Sequence, residues 1–181
     1  MAALAPVTVS VVNGMESSVL GPISVGVVVD AITAVQGTTR MIAPRSRRAL
    51  HMAAKRGLLL VAHRGGVLIG WAMGEPSGPG VVELGSLYVV PESRDGVAMR
   101  ELTALGTSLR PTSVVVTMDR RFAQWLRNEW GFEQSTLWGV TCATRGAFLA
   151  RRLAPWRLIA AIRHVTEGSP CYLIRREVDG S

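Results

Sequence analysis

Lysine is nearly absent from this sequence of 181 residues: Lys55 is the only one, and every other cationic side chain is an arginine. The chain has 20 basic and 13 acidic residues and a formal net charge of +7, which favours acidic partners. Arginine binds phosphate through a planar bidentate fork, which suits nucleotide cofactors, tRNA or DNA. A genome rich in G and C produces the same bias, and the composition leaves both explanations open.

Cysteine and histidine are also scarce. Cys142 and Cys171 are too few for a disulfide framework or a tetrahedral zinc site. His51, His63 and His164 lie far apart in the sequence and have no metal-ligand spacing. We therefore expect no metal site.

Long apolar runs are missing as well. The most apolar region, residues 19–35, contains Pro22 and Asp30 and falls short of a membrane span. The N-terminus lacks the basic start and continuous apolar stretch of a signal peptide. We expect a cytoplasmic protein without a transmembrane segment. The hydrophobic fraction of 48% and charged fraction of 18% are typical of a folded chain, whose length fits a single domain over residues 1–181.

Turn residues and apolar periodicity divide the chain into strands and helices. Strands are predicted at Val7–Val12, Leu58–His63, Val67–Met73, Val81–Val90, Ser113–Met118, Ser135–Thr141 and Cys171–Val178. Helices are predicted at Val27–Gln36, at Arg45–Arg56, from the loop after Pro91 to about Leu109, at Arg120–Trp130, and over Ala143–Val165 with a break at Pro155. A strand–loop–helix–strand unit within a mixed, mostly antiparallel sheet flanked by helices makes the fold class α/β (α+β).

The loop after Pro91 carries the most chemical information. It reads Ser93-Arg94-Asp95-Gly96-Val97-Ala98 and leads into a predicted helix. A strand that ends in proline, followed by a glycine turn and a helix N-terminus, brings several N–H groups to one point, where the helix dipole favours an anion. Gly96 and Ala98 allow phosphate oxygens to approach the backbone, and Arg94 can add a charge-assisted contact. The pattern predicts a pyrophosphate-binding turn.

This stretch resembles the acetyl-coenzyme A signature of the Gcn5-related N-acetyltransferase (GNAT) family. The family has a strand ending in Val-x-Pro, followed by Gln/Arg-x-x-Gly-x-Gly/Ala at the start of a helix. Gly96 and Ala98 match the two small positions. The family's first position falls on Ser93, and the basic residue comes one place later, at Arg94.

A downstream segment, residues 122–132, is similar to the family's Ala-x-x-x-Tyr-x-x-x-Gly-Phe pattern. Ala123, Gly131 and Phe132 fall at the matching positions. The family tyrosine, which often protonates the leaving thiolate, falls on Arg127. An arginine cannot act as an acid near neutral pH, although it could stabilise the thiolate or contact the cofactor's phosphates. The two segments together cover about residues 58–141.

The resemblance implies an acyl-CoA-dependent N-acyltransferase that moves an acetyl or other acyl group from acetyl-CoA, or another acyl-CoA, to an amine of a small molecule or protein. The pantetheine arm would pair with the backbone of Tyr88, Val89 and Val90, beside which the family's sheet is splayed. The residues implied for the pyrophosphate are Arg94, Asp95, Gly96, Val97, Ala98 and Met99.

The resemblance also implies two catalytic groups. The N–H near Val89 would polarise the acyl carbonyl, and Glu83 would be the general base for the acceptor amine. The alternative for Glu83 is a solvated glutamate at the start of a strand. A degenerate domain that binds CoA without turnover also remains open.

The end of the chain is basic. Residues 143–178 contain seven arginines and two glutamates, a net charge of +5, and we expect a basic helical insertion at about 143–165 before the last strand. It could be a helical pair with a solvated basic face, or a membrane-surface helix. Alternatively, Arg145–Arg163 could contact nucleic acid in a protein that modifies a base or an aminoacyl-tRNA, or only binds. A homodimer is also possible.

Overall fold

The computed structural model describes residues 5–12, 24–38, 45–93, 95–152 and 169–177. The strands in this part of the chain are β1 (Val7–Val11), β2 (Leu59–Arg64), β3 (Val67–Pro76), β4 (Val81–Val89), β5 (Thr112–Thr117), β6 (Glu133–Ser135) and β7 (Cys171–Arg176). The helices are α1 (Val25–Thr38), α2 (Arg47–Lys55), α3 (Val97–Ser108), α4 (Arg120–Trp130), α5 (Leu137–Ala143) and α6 (Ala147–Arg152). A short 3-10 turn, Pro91–Ser93, precedes α3.

The chain divides into two compact units. The first contains residues 1–75 and 85–109, and the second contains residues 76–84 and 110–181. Strand β4 belongs to both, with Val81–Leu84 in the second unit and Gly85–Val89 in the first. The organisation as one domain stays a prediction.

The first unit is built on antiparallel strands. β1 pairs with β2 and β2 pairs with β3, so that Ala62 lies between Val9 and Gly70. Helix α3 packs on one face, where Ala62 and Leu102 share a buried apolar cluster. Strand alternation turns Leu59 and Val61 to the other face, and both are buried. The sheet of this unit is therefore covered on both sides.

The second unit contains the parallel pair. The first half of β4 runs parallel to β5, from Val81 opposite Thr112 to Leu84 opposite Val115. β7 is antiparallel to β5 and to β6. Neighbouring residues of β5 point to opposite faces: Val114 packs with α5 and α6 through Val140 and Phe148, whereas Val115 packs with Leu126 of α4. This alternation explains why three successive residues at the centre of β5 are valines.

Most of the predicted elements are confirmed. The bounds of α4 agree at both ends, and the hairpin of β2 and β3, the strand–loop–helix of β4 and α3, and the mixed, mostly antiparallel sheet all occur. Helix α2 begins after its N-cap, Ser46, whose side chain accepts a hydrogen bond from the Ala49 N–H. Of the predicted helix over Ala143–Val165, α6 is described as far as Arg152, while Pro155 and the rest lie outside the described residues, as does Val178 at the end of the last predicted strand.

The predicted strand Ser135–Thr141 is wrong. Strand β6 ends at Ser135, and residues 137–143 form helix α5. Thr136 caps this helix, because its hydroxyl accepts a hydrogen bond from the Gly139 N–H at 3.0 Å. The run Leu-Trp-Gly-Val-Thr has the composition of a strand, but Val140 and Thr141 are buried on one side of a helix. Tertiary packing has overridden local propensity here.

Candidate functional site

The turn before α3 has the geometry predicted from the sequence. Gly96 is the N-cap of α3 and has a left-handed backbone, with φ of 84°. A β-carbon built on Gly96 would meet no atom within 4 Å, so the space above the turn is open. The first intrahelical hydrogen bond runs from the Arg100 N–H to the Gly96 C=O. The N–H groups of Val97, Ala98 and Met99 therefore have no acceptor within the helix, as at any helix N-terminus.

Asp95 organises this turn. Its Oδ1 accepts a hydrogen bond from the Val97 N–H at 3.1 Å, and its Oδ2 pairs with the guanidinium of Arg64 at the end of β2. The hydrogen bond from Arg64, with a smaller contribution from the Val97 N–H, holds the pKa of Asp95 below its usual value. The Asp95 carboxylate thus already accepts a hydrogen bond from one of the N–H groups at the helix N-terminus. The sequence did not indicate this use of Arg64.

The end of β4 lies against β3. The Val90 N–H donates to the Ile69 C=O at 2.9 Å, so this donor is used within the sheet and is not available for the ligand pairing predicted for it. Successive residues of a strand direct their N–H groups to opposite sides, which turns the Val89 N–H away from β3. Tyr88 is buried, and its ring packs on Trp71 with 4.7 Å between the ring centroids.

Glu83 is not a solvated strand-end glutamate. It is 6% exposed, and its Oε2 accepts a hydrogen bond from Arg151 Nη2 at 2.7 Å. The same guanidinium donates to the Pro76 C=O at 2.8 Å and to the hydroxyl of Ser77. All of these groups belong to the second unit. Arg151, which the sequence placed in a basic segment suited to nucleic acid, is instead engaged with protein groups.

A third polar cluster, which no pattern in the sequence predicts, surrounds Ser86 in β4. Ser86 has a left-handed backbone with φ of 51°, which is unusual for a residue other than glycine. Its hydroxyl accepts a hydrogen bond from Arg45 Nε at 3.0 Å. Arg45 Nη1 pairs with Glu75 at 2.7 Å, and both of these side chains are mostly buried. Arg45, just before α2, and Ser86 are 41 residues apart, so this contact could not be predicted from the sequence.

The remaining site residues have simpler surroundings. Ala98 is buried in the apolar cluster of α3, and Met99 is packed against it. Arg127 is exposed on α4, and its Nη1 lies 3.5 Å from the side-chain oxygen of Gln134. Arg94 lies outside the described residues.

Two kinds of feature are absent from the described residues. Within residues 5–12, 24–38, 45–93, 95–152 and 169–177, no three His, Cys, Asp or Glu side chains are grouped so that they could hold a metal ion. In the same part of the chain, no helix combines the length and the apolar character needed to cross a membrane.

No protein-family model matches this sequence, and no curated protein matches it. Solved structures do match in fold. The N-acetylglutamate synthase of Neisseria gonorrhoeae, complexed with coenzyme A and N-acetyl-glutamate, has a TM-score of 0.60 and 17% identity over 96% of this chain and 36% of its own. This chain therefore spans little more than a third of that synthase.

Two further solved structures have a similar fold. The protein yncA of Salmonella typhimurium, with its cofactor acetyl-CoA, has a TM-score of 0.58 and 14% identity over 97% of this chain and 96% of its own. A GCN5-related N-acetyltransferase of Kribbella flavida has a TM-score of 0.50 and 12% identity over 71% of this chain and 34% of its own. The chain has the fold of the GNAT acetyltransferases, and the resemblance noted in the sequence is confirmed at that level.

Proposed function

We propose that this chain is an acyl-CoA-dependent N-acyltransferase that moves an acetyl or related acyl group from CoA to an amine. The observation that carries the proposal is the turn that follows β4, where Gly96 opens α3 with a left-handed backbone and free space above it. Structures of the same fold, complexed with coenzyme A or acetyl-CoA, support it.

The residues of the turn fit a pyrophosphate. The N–H groups of Ala98 and Met99 point out of the N-terminal end of a helix of 12 residues, where the dipole favours negative charge. A side chain at position 96 would fill the space that phosphate oxygens need, whereas glycine leaves it open. In this proposal Arg94 adds a cation from the same turn. The donor set is thus chemically suited to the cofactor implied by the fold.

In the transfer step the protein has to stabilise charge on the carbonyl oxygen and on the leaving thiolate. When bound, acetyl-CoA would supply an activated thioester, from which the acyl group would pass to the amine nitrogen as the C–S bond breaks and CoA leaves as its thiolate. In this proposal the N–H near Val89 would donate to the carbonyl oxygen as it gains charge, as the resemblance implies. Arg127 is retained as the residue that stabilises the thiolate or contacts phosphate, since arginine cannot donate a proton near neutral pH.

Glu83 is retained as the candidate general base. Its carboxylate is buried and its Oε2 is held by Arg151 at 2.7 Å, which fixes the orientation of the group. A base must accept the amine's proton directly or through one water. Glu83→Gln should therefore lower kcat by about 10²-fold or more, while the Kd for CoA stays unchanged. An unchanged kcat would remove Glu83 from the mechanism and leave the rest of the proposal standing.

Cofactor binding is the primary test. Acetyl-CoA at millimolar concentration should raise the Tm of the purified chain, because a ligand that binds only the folded state stabilises it. Gly96→Glu should abolish this shift by placing a side chain and a negative charge in the anion position. Release of free thiol in the presence of a panel of amines would then identify the acceptor.

Gly80→Glu is the matched control. Gly80, just before β4, also has a left-handed φ, of 68°, and a β-carbon there would meet nothing within 4 Å. The two substitutions therefore carry a similar backbone cost, about 1–2 kcal/mol. If the wild-type chain shows no shift, or if Gly80→Glu and Gly96→Glu lose the shift equally, the proposed site is wrong.

A further inference from the structure

Arg64 and Asp95 form an ion pair at the mouth of the anion-binding turn. Arg64 is the last residue of β2 and precedes the Gly65–Gly66 turn, in which both glycines have positive φ. Its side chain is 17% exposed. Asp95 bridges from this guanidinium to the Val97 N–H, one of the donors that the helix leaves free. The carboxylate therefore stands where an oxygen of a bound anion would accept the same hydrogen bond.

We propose that Arg64 binds phosphate at this turn. In this proposal Asp95 is an internal anion that occupies the phosphate position, and the pyrophosphate of the cofactor displaces it. This inference rests on the proposed function, because it assumes that CoA binds at the turn. It adds a binding residue from the β2–β3 hairpin, which is not part of the Ser93–Ala98 pattern that resembles the acetyl-CoA signature.

The chemistry of the two anions supports the exchange. A carboxylate and a phosphate both accept hydrogen bonds from a guanidinium in bidentate geometry and from N–H groups at a helix N-terminus. Arg64 can therefore keep a charge-assisted hydrogen bond when phosphate replaces the Asp95 carboxylate. A phosphate with three oxygens also offers the guanidinium more acceptors than the carboxylate does.

The alternative is that Asp95 is only a structural cap of the turn. A cap makes the opposite prediction, because its removal would loosen the turn and weaken cofactor binding. Asp95→Asn separates the two cases. The amide oxygen can still accept from the Val97 N–H, so the cap is kept, while the negative charge that competes with phosphate is removed.

The test is calorimetric titration of the full chain with CoA, and with inorganic pyrophosphate as a minimal probe. Asp95→Asn should bind both about threefold to tenfold more tightly at low ionic strength, and this gain should shrink as salt is added, because the pair is partly exposed. Arg64→Met should bind about tenfold more weakly, and Arg64→Lys should recover part of the loss because it restores charge without the bidentate fork.

A double variant decides whether Arg64 contacts the ligand. If Arg64 binds phosphate, Arg64→Met weakens CoA binding even in combination with Asp95→Asn. If Arg64 only neutralises Asp95, its effect disappears in that combination, and the inference is overturned. Unchanged or weaker binding by Asp95→Asn overturns it as well.

These outcomes are distinct from failure of the proposed function. If the wild-type chain binds neither CoA nor pyrophosphate, both ideas fall together. If it binds CoA and Gly96→Glu abolishes binding while Asp95→Asn changes nothing, only the role of the pair is lost. The Tm of each variant, measured without ligand, shows that it is folded.

Discussion

Arg151 of α6 donates from Nη2 to Oε2 of Glu83 in β4 over 2.7 Å, and the carboxylate it holds is 7% exposed. A charged pair of this kind ties a helix to the sheet that it covers. Arg151 is also an obvious position to substitute in a test of nucleic-acid binding. Because of this pair, such a substitution would disturb the fold of the second unit.

Removal of Arg151 should destabilise the protein. Arg151→Met leaves Glu83 buried without this partner, and the free energy of unfolding should fall by about 2 kcal/mol, less than for a fully buried pair because the Arg151 side chain is 25% exposed. Urea denaturation measures the change. Combination with Glu83→Gln should recover part of the loss, and the exposed Arg121→Met should be close to neutral. Equal losses for Arg151→Met and Arg121→Met would show that the pair contributes nothing.

Ser86 offers a test of stored backbone strain. Its φ of 51° costs about 1–2 kcal/mol for a residue with a β-carbon, and the hydrogen bond from Arg45 compensates in part. Ser86→Ala should lower the free energy of unfolding by about 1 kcal/mol, because it keeps the strain and loses the bond. Ser86→Gly loses the bond but also the strain, so it should be close to neutral in urea denaturation. A Gly variant less stable than the Ala variant would contradict this account.

Gly70 in β3 is required by the close approach of β4. A β-carbon at this position would lie 2.7 Å from the Tyr88 carbonyl oxygen. We expect Gly70→Ala to lower the free energy of unfolding by about 2 kcal/mol, since the two backbones must separate. Gly26→Ala is the control: its β-carbon would lie 3.7 Å from the Ser24 hydroxyl, and alanine favours the helix by about 0.5–1 kcal/mol. Opposite signs of change in Tm are expected, and a shared sign would contradict the argument.

His63 should make the stability of the first unit depend on pH. Burial lowers the pKa of His63 below 6.5, and its Nδ1 is buried without a hydrogen-bond partner in the described residues. The unfolded chain therefore takes up a proton near pH 6.5 that the folded chain resists. This contribution to stability is fully present above about pH 6.5 and is lost as the pH falls toward the lower folded value.

The measurement is the urea midpoint between pH 5 and pH 8. His63→Leu should flatten the decline below about pH 6.5, whereas His51→Gln, at an exposed position of α2, should leave it unchanged. A wild-type chain whose stability does not fall in this window would show that His63 takes its proton as readily in the folded state as in the unfolded one.

The sequence was informative where local chemistry decides the structure. Gly96, with Ala98 two places later, predicted the turn at the start of α3, and Gly57, with φ of 64°, follows the predicted end of α2 at Arg56. The run Ser-Val-Val-Val-Thr predicted a strand at Ser113–Met118, and β5 lies there. These signals depend on a residue's own backbone preference or on its near neighbours, so they can be read along the chain.

After Thr136 the local sequence no longer predicts the structure correctly. A run of apolar and β-branched residues follows it, and only the capping hydrogen bond to Gly139 and the burial of Val140 against Phe148 make that run a helix. Local propensity differs little between the two states for such a run, so packing against β5 and β7 decides it.

The sequence by itself determined the strand–glycine–helix segment, the apolar strands and the arginine-rich charge, because each is set by residue type and spacing. The tertiary structure decided which charges meet. Arg64 and Asp95 are 31 residues apart, Arg45 and Ser86 are 41 apart, and Arg151 and Glu83 are 68 apart. No periodicity relates such positions. They meet because the sheet brings distant strands and helices together, and a buried charge is stable only where the fold supplies its partner.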